Sequence, residues 1–257
     1  MTINQAFEIL KNAGDIRAAR IITDHLPRIG RIRLWFIARA LRRGMPVAKI
    51  IHEKWFYGLP FYTNRHTLDP RPDTETLVSA VISDNATAPT ILDIGTGTGC
   101  ILISIVKNMH NATGVGVDIS NRAIRVARRN VKKLGLRDKV QIVRGSFNNK
   151  KMVRQRFDII VSNPPYIAIG DRRVNAGAMH DPRIALYAAH NGMAAYEQIA
   201  TNGQNWIKPN GKLYLEIGAG EKQRVKKIFE SAGWTFVRDE RDLGGIIRVL
   251  VFAPANW

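Results

Sequence analysis

The chain changes its hydrophobic rhythm near residue 69. Before that point apolar residues recur at helical spacing, at Ile3, Phe7 and Leu10 and again at Leu34, Ile37, Ala38 and Leu41. Gly30 and Gly44-Met45-Pro46 punctuate the pattern. A small helical domain over residues 1–54 is expected. The aromatic, turn-rich stretch from Trp55 to Tyr62 predicts a hairpin inside a linker over residues 55–68. From 69 to 257 short apolar runs alternate with amphipathic segments. Strands are expected at 90–94, 114–118, 140–143, 157–162, 212–217, 234–238 and 246–252. The helix expected at 120–134 has Ser120 as its cap, Gly135 as its stop, and an apolar face of Ala123, Ile124, Ala127, Val131 and Leu134. This alternation predicts an α/β fold with a mostly parallel, doubly wound sheet.

Composition narrows the class. Of 257 residues, 45% are hydrophobic and 23% charged, which excludes wholesale disorder, collagen and coiled coil. The single cysteine, Cys100, rules out an intrachain disulfide, and the six scattered histidines lack the spacing of a zinc site, so no metal is expected. The first residues hold no apolar core of signal-peptide length, and no apolar run reaches membrane-spanning length. The expectation is a cytoplasmic protein with no membrane association.

Charge adds a partner class but no reaction. Lys and Arg number 39 against 21 Asp and Glu, a net charge of +18. Residues 1–68 carry twelve Lys or Arg against four Asp or Glu, or +8. Such a field attracts RNA, DNA or an acidic protein face; a general basic drift with no specific partner explains it equally well.

The chemistry begins after the first apolar strand of the α/β region. Ile91-Leu92-Asp93-Ile94 runs into Gly95-Thr96-Gly97-Thr98-Gly99-Cys100 and then an apolar helix. A strand, a glycine-rich turn and a helix start form a nucleotide-binding unit, because glycine lets backbone approach a ligand closely. The spacing is G-x-G-x-G, with Cys100 where the dinucleotide fingerprint has its third glycine, and no P-loop lysine follows. Asp93, just before the loop, suits a cationic ligand better than a pyrophosphate. Asp118, ending the next strand, can accept from both hydroxyls of a ribose. Together they point to S-adenosyl-L-methionine, which has a positive sulfonium and amino group. Cys100 reads as a small buried hydrophobe rather than a nucleophile.

A second motif closes another strand. Phe157-Asp158-Ile159-Ile160-Val161-Ser162 is followed by Asn163-Pro164-Pro165-Tyr166. Two prolines stiffen the turn and remove two donors, so it offers carbonyl acceptors on a rigid frame. The Asn163 side-chain carbonyl and the Pro164 backbone carbonyl can together accept both hydrogens of a planar NH2 group, with Tyr166 as a flat wall. Amide and base-amine nitrogens are poor nucleophiles, so holding the NH2 in line with an electrophilic methyl is the step an enzyme can supply.

In these residues the sequence resembles the HemK/PrmC-type protein-glutamine methyltransferases that modify peptide chain release factors. The likeness covers nearly the whole chain. It includes Arg42-Arg43-Gly44-Met45-Pro46, Phe56-Tyr57-Gly58-Leu59-Pro60-Phe61, Pro70-Arg71-Pro72-Asp73-Thr74-Glu75, Asp93 to Gly99, Asp118 and Asn163 to Tyr166. Pro182-Arg183-Ile184-Ala185-Leu186, Leu215-Glu216-Ile217-Gly218 and Asp242-Leu243-Gly244-Gly245 follow in order. The resemblance implies a seven-stranded, Rossmann-like S-adenosylmethionine-dependent methyltransferase sheet over residues 69–257, with the N-terminal helical domain recognising substrate. It implies methyl transfer to the side-chain amide of the glutamine in the release factor's Gly-Gly-Gln loop, which tunes translation termination.

The same resemblance assigns roles. Asn163, Pro164 and Tyr166 are the expected catalytic residues. Asp93, Gly95, Thr96, Gly97, Gly99, Asp118, Ser146, Phe147 and Asn163 are expected at the cofactor. Asn163, Pro164, Pro165, Tyr166, Arg71 and Pro72 are expected at the substrate, with Thr74 lining or supporting the site. Arg71 reads equally as a domain-joining ion pair with Glu75, and Glu216 as structural. The expected partners are release factors, with the basic surface bringing the ribosome or RNA near, and the expected state is a monomer. Three positions depart from the family pattern: Asp69 replaces an apolar residue, Ser146 replaces an Asp before the aromatic, and Ala188-Ala189 replaces a glycine pair. Three other readings stay open: a glutamine methyltransferase of a ribosomal protein, an exocyclic-amine methyltransferase of a nucleic-acid base, and a non-catalytic RNA- or ribosome-binding protein.

Overall fold

A computed structural model describes residues 2–84, 88–149, 152–171 and 179–255. Four helices come first: α1 (Ile3–Ala13), α2 (Ile16–His25), α3 (Arg31–Arg42) and α4 (Val47–Ile51). Thr2 closes a reciprocal capping box with Gln5 at the start of α1, and the Asp15 carboxylate accepts from the Ala18 amide at the start of α2. Leu34, Ile37, Ala38 and Leu41 are buried on α3 as the spacing predicts. On α1 the inward face is Ala6, Leu10 and Ala13, while Ile3 is exposed and Phe7 only partly buried. Two alanines let α1 lie close to its neighbours, which rotates its face away from the bulkier Ile3.

A hairpin of β1 (Glu53–Phe56) and β2 (Leu59–Tyr62) follows, turning at Tyr57-Gly58, both at positive φ as a tight two-residue turn requires. Its Phe56 and Phe61 enter the core of the α/β region. The chain then makes a 3-10 turn at Pro72–Thr74 and continues as α5 (Glu75–Asp84), β3 (Thr90–Ile94), α6 (Cys100–Asn108), β4 (Thr113–Asp118), α7 (Asn121–Lys133), β5 (Val140–Arg144) and β6 (Phe157–Ser162). The remainder is β7 (Ile167–Ala168), α8 (Arg183–Leu186), β8 (Tyr187–Ala188), α9 (Ala194–Gly203), β9 (Ile207–Glu216), α10 (Lys222–Ser231), β10 (Trp234–Arg241) and β11 (Ile247–Pro254).

Seven strands form one sheet in the order β10-β11-β9-β6-β3-β4-β5. The five strands from β9 to β5 pair in parallel, and β11 and β10 add antiparallel. The sheet is therefore mixed, with parallel pairing in its centre. Ile91, Ile159, Val161, Tyr214 and Val249 face a core layer with α5, α6 and α7. Leu92, Ile94, Ile160, Leu213 and Phe252 face the opposite layer with α9 and α10. This period-two alternation fixes the register, because a one-residue slip would exchange the two cores. Among the described residues no helix is long and apolar enough to cross a membrane.

The order has one functional consequence. After β3 the chain moves outward to β4 and β5, then returns to the other side of β3 as β6. That reversal opens a crevice at the carboxyl ends of β3 and β6, where open α/β sheets hold ligands. The glycine loop follows β3 and the Asn-Pro-Pro-Tyr turn follows β6, so both motifs meet there.

Candidate active site

A cavity of about 390 Å³ fills this crevice. Gly95, Thr96 and Gly97 line it from the β3 loop, Asp118 from the end of β4, Ser146 and Phe147 from beyond β5, Asn163 and Pro165 from beyond β6, and Arg71 and Thr74 from the segment before α5. Pro182, Ile184, Ala185, Tyr187 and Ala188 close another side. The sequence-predicted residues thus largely converge. Asp93 and Gly99 lie behind the loop, while Pro72, Pro164 and Tyr166 lie outside the cavity lining. Tyr166 is half-buried and packs toward Gly218, and burial pushes its hydroxyl up to about 12.

The floor is built around Asp93. Its side chain is fully buried, Oδ2 accepts from the Thr96 hydroxyl at 2.6 Å, and Oδ1 lacks a partner of ordinary hydrogen-bond geometry. Burial raises its pKa to about 7, partly offset by the Thr96 hydrogen bond, with the nearby Asp118 adding to the rise. Room for Thr96 comes from β4: a Cβ on Gly116 would sit 2.8 Å from its hydroxyl oxygen. Gly95, Gly97 and Gly99 all take positive φ, which lets the loop turn tightly over this carboxylate. Cys100 is buried, and desolvation raises its thiol to about 12, so it stays protonated.

Asp118 is held by the backbone. Its Oδ2 accepts from Gly97 N at 3.0 Å and its Oδ1 from Ser120 N at 2.8 Å. Each oxygen keeps lone pairs for a ligand hydroxyl. Burial nonetheless raises its pKa, against those same hydrogen bonds. Ser146 spends its hydroxyl oxygen on the Asn148 amide at 3.3 Å, and the Asn202 side chain fixes the Phe147 carbonyl at 2.8 Å. The cavity's far end is therefore a shaped, mainly apolar slot without a carboxylate from residue 146.

Asn163 has a defined orientation. Its Nδ2 donates to Thr74 Oγ1 at 3.2 Å, and the residue lines the cavity. Glu216 lies behind this pair, fully buried, its pKa raised to about 7 by desolvation against hydrogen bonding from Thr74 and Asn163 and the charge of Arg248. Asp73 reaches Arg248 at 2.7 Å, and Glu75 accepts from Tyr57 N at 2.7 Å. The segment 71–75 thus ties the hairpin, the sheet and the catalytic turn together. Arg71 pairs with Asp181 at 2.6 Å rather than with Glu75, whose carboxylate the hairpin amide already occupies.

The sequence did not single out Gly192. It has φ +88, and a Cβ there would lie 2.2 Å from the Tyr166 carbonyl oxygen. It follows His190 and Asn191, both also at positive φ, so left-handed backbone sits at 190–192 and not at Ala188-Ala189. The alanine pair is therefore accommodated without strain. Gly192→Ala should lower stability by about 2–4 kcal/mol, from overpacking and left-handed strain at a backbone contact. Thermal unfolding checks this, and turnover should fall with it as the turn at 163–166 shifts.

These features fit an S-adenosylmethionine site: a buried carboxyl with one oxygen lacking a hydrogen-bond partner beneath a glycine loop, a backbone-held Asp118, and Asn163 at the same cavity. Comparison with known proteins agrees. A family described as a methyltransferase domain matches residues 86–233. A bifunctional methyltransferase from Rickettsia felis is 38% identical over 243 residues, covering 82% of this chain and 46% of that protein. The chain thus spans about half the length of the bifunctional Rickettsia relatives it matches. A release factor glutamine methyltransferase from Cereibacter sphaeroides is 36% identical over 253 residues, covering 95% of this chain and 88% of that one. A methyltransferase structure from Pyrococcus furiosus superposes with a TM-score of 0.57 at 19% identity, over 86% of this chain and 96% of that one.

Proposed function

The chain belongs to the release factor glutamine methyltransferases, and from that premise we propose that it methylates the side-chain amide of the glutamine in the Gly-Gly-Gln loop of peptide chain release factors. The cofactor is S-adenosyl-L-methionine, which when bound supplies a methyl group on a positive sulfur. The observation that carries the reading is the meeting of Asn163, Asp118 and the glycine loop at one cavity, with the Asn163 amide nitrogen held by Thr74.

Each residue then has a task. Asp93 and the backbone of Gly95 to Gly97 hold the cationic amino-acid end of the cofactor, and Asp118 holds its ribose hydroxyls. Ser146 and Phe147 border the base. Asn163 Oδ1 and the Pro164 carbonyl accept the two hydrogens of the glutamine NH2 and bias its nitrogen lone pair toward the methyl carbon. Methyl transfer from the bound cofactor would leave the C–S electron pair on sulfur, and the amide nitrogen would release one proton to solvent. Thr74, through Asn163 Nδ2, keeps the carbonyl turned to the substrate.

The basic N-terminal module gives the reading a test that does not touch the chemistry. Arg42 and Arg43 are exposed at the end of α3. Reversing both to Glu should slow methylation of whole release factor by about tenfold, because like-charge contacts lower the association rate. Methylation of a short Gly-Gly-Gln peptide should stay unchanged. Equal rates of both variants on both substrates would remove the docking role.

A further inference from the structure

Lys49 is the only buried Lys or Arg among the described residues. It sits on α4, in the N-terminal module, yet its ammonium is met by groups from two other segments, 64–69 and the stretch at 181. The carbonyl oxygens of Asn64 and Thr67 lie at 2.8 and 2.5 Å, and Oδ1 of Asp69 and of Asp181 at 2.9 Å each. The other oxygen of Asp181 receives Arg71 at 2.6 Å. The Asp181 side chain is 1% exposed and that of Arg71 is 37% exposed. A second tie runs beside it, where His180 Nε2 donates to the Arg43 carbonyl at 3.1 Å.

Among the described residues Arg71 is the only Lys or Arg lining the cavity. Its Nη2 donates to Asp181 Oδ2 at 2.6 Å, and its side chain is 37% exposed. Burial alone does not explain why four charges gather here. An ion pair inside a protein gives little net stability over apolar residues of like volume, because desolvation offsets attraction. What the cluster does supply is a fixed direction. The Lys49 ammonium meets Asp181 Oδ1 as an ion pair at 2.9 Å without hydrogen-bond geometry, and this charge contact holds the carboxylate in place while its other oxygen receives the Arg71 guanidinium.

We propose that Lys49 is a positioning residue of the cofactor site: through Asp181 it fixes Arg71, which meets the carboxylate at the amino-acid end of the bound cofactor. The N-terminal module thereby supports one wall of the cavity through Asp181 and Arg71. This deepens the methyltransferase reading at its cofactor end and is independent of which substrate is methylated.

The test is a double-mutant cycle on cofactor affinity, measured by calorimetry with S-adenosyl-L-methionine and the full chain. Lys49→Met with Asp69→Leu removes one charge of each sign and fills the volume, so the protein should melt close to the wild type. Cofactor affinity should fall about tenfold, as Arg71→Met alone should do, and combining the changes should add less than about twofold, because coupled residues are non-additive. Turnover of the Lys49→Met, Asp69→Leu variant at saturating cofactor should stay within about threefold of wild type. Asp181→Asn keeps the side-chain shape and gives an independent second arm with the same expected loss. Unchanged affinity in either arm, or losses that multiply with Arg71→Met, would overturn the proposal. Failure to methylate release factor, with the cycle holding, would count against the substrate assignment alone.

Discussion

Asn163→Ala should abolish turnover while leaving cofactor binding almost intact. The residue lines the cavity, and its amide nitrogen donates to Thr74 at 3.2 Å. Alanine removes the acceptor that holds one hydrogen of the substrate NH2 and leaves the glycine loop and Asp118 untouched. Loss of a preorganised polar group that acts on the transition state lowers kcat on the order of 10³-fold. Affinity for S-adenosyl-L-methionine should change by less than about threefold, because the residue contributes to substrate orientation rather than to ground-state cofactor contacts. Calorimetry and single-turnover methyl transfer on the same preparation separate the two. A matched loss of cofactor affinity would move Asn163 from the substrate side of the cavity to the cofactor side.

The second large effect lies at Asp93. Without a ligand this carboxyl has a pKa of about 7, raised chiefly by burial. The unfolded chain has a value near 4, so the folded state binds the proton more tightly. Its contribution to stability is complete below the unfolded pKa and is lost as pH rises through about 7. A cation placed against the carboxylate reverses this cost. Cofactor affinity should therefore strengthen about tenfold between about pH 5.5 and about pH 7, as the carboxyl ionises and the ligand amino group stays charged. Asp93→Asn keeps the shape and an acceptor for Thr96 but removes the charge. Free of cofactor at neutral pH, the variant should be at least as stable as the wild type. Its affinity should drop on the order of 100-fold, because a buried charge partner is lost, and its pH dependence should flatten. Glu216 shares the raised pKa of about 7 and remains in the variant. A persisting pH dependence after Asp93→Asn would place the titration at Glu216 instead.

Local pattern carried much of this architecture. The strands at 90–94 and 157–162 were legible to the residue, because each is an apolar run closed by a motif with its own chemistry. The helix after Ser120 was legible from its cap, its stop and its face. What pattern missed was set by contacts distant in sequence. Asp181 lies 110 residues from Arg71 and is its partner only because β6 and the chain beyond it return beside β3. Glu75 was the nearer carboxylate in sequence, but the hairpin amide takes it. The inward face of α1 depended on how closely its alanines approach α2 and α3, which periodicity does not encode. Gly192 was one glycine among 21, and only the Tyr166 carbonyl at its back marks it out. Asp69 departs from the family pattern, and it is legible only beside Lys49, whose charge it balances.

The proposed methyl acceptor is the glutamine amide. Incubating the purified chain and labelled S-adenosyl-L-methionine with release factor, with a factor whose Gly-Gly-Gln glutamine is alanine, and with total RNA tests it. Label on the unaltered factor alone is expected. Label on RNA, or equal label on both factors, would contradict it.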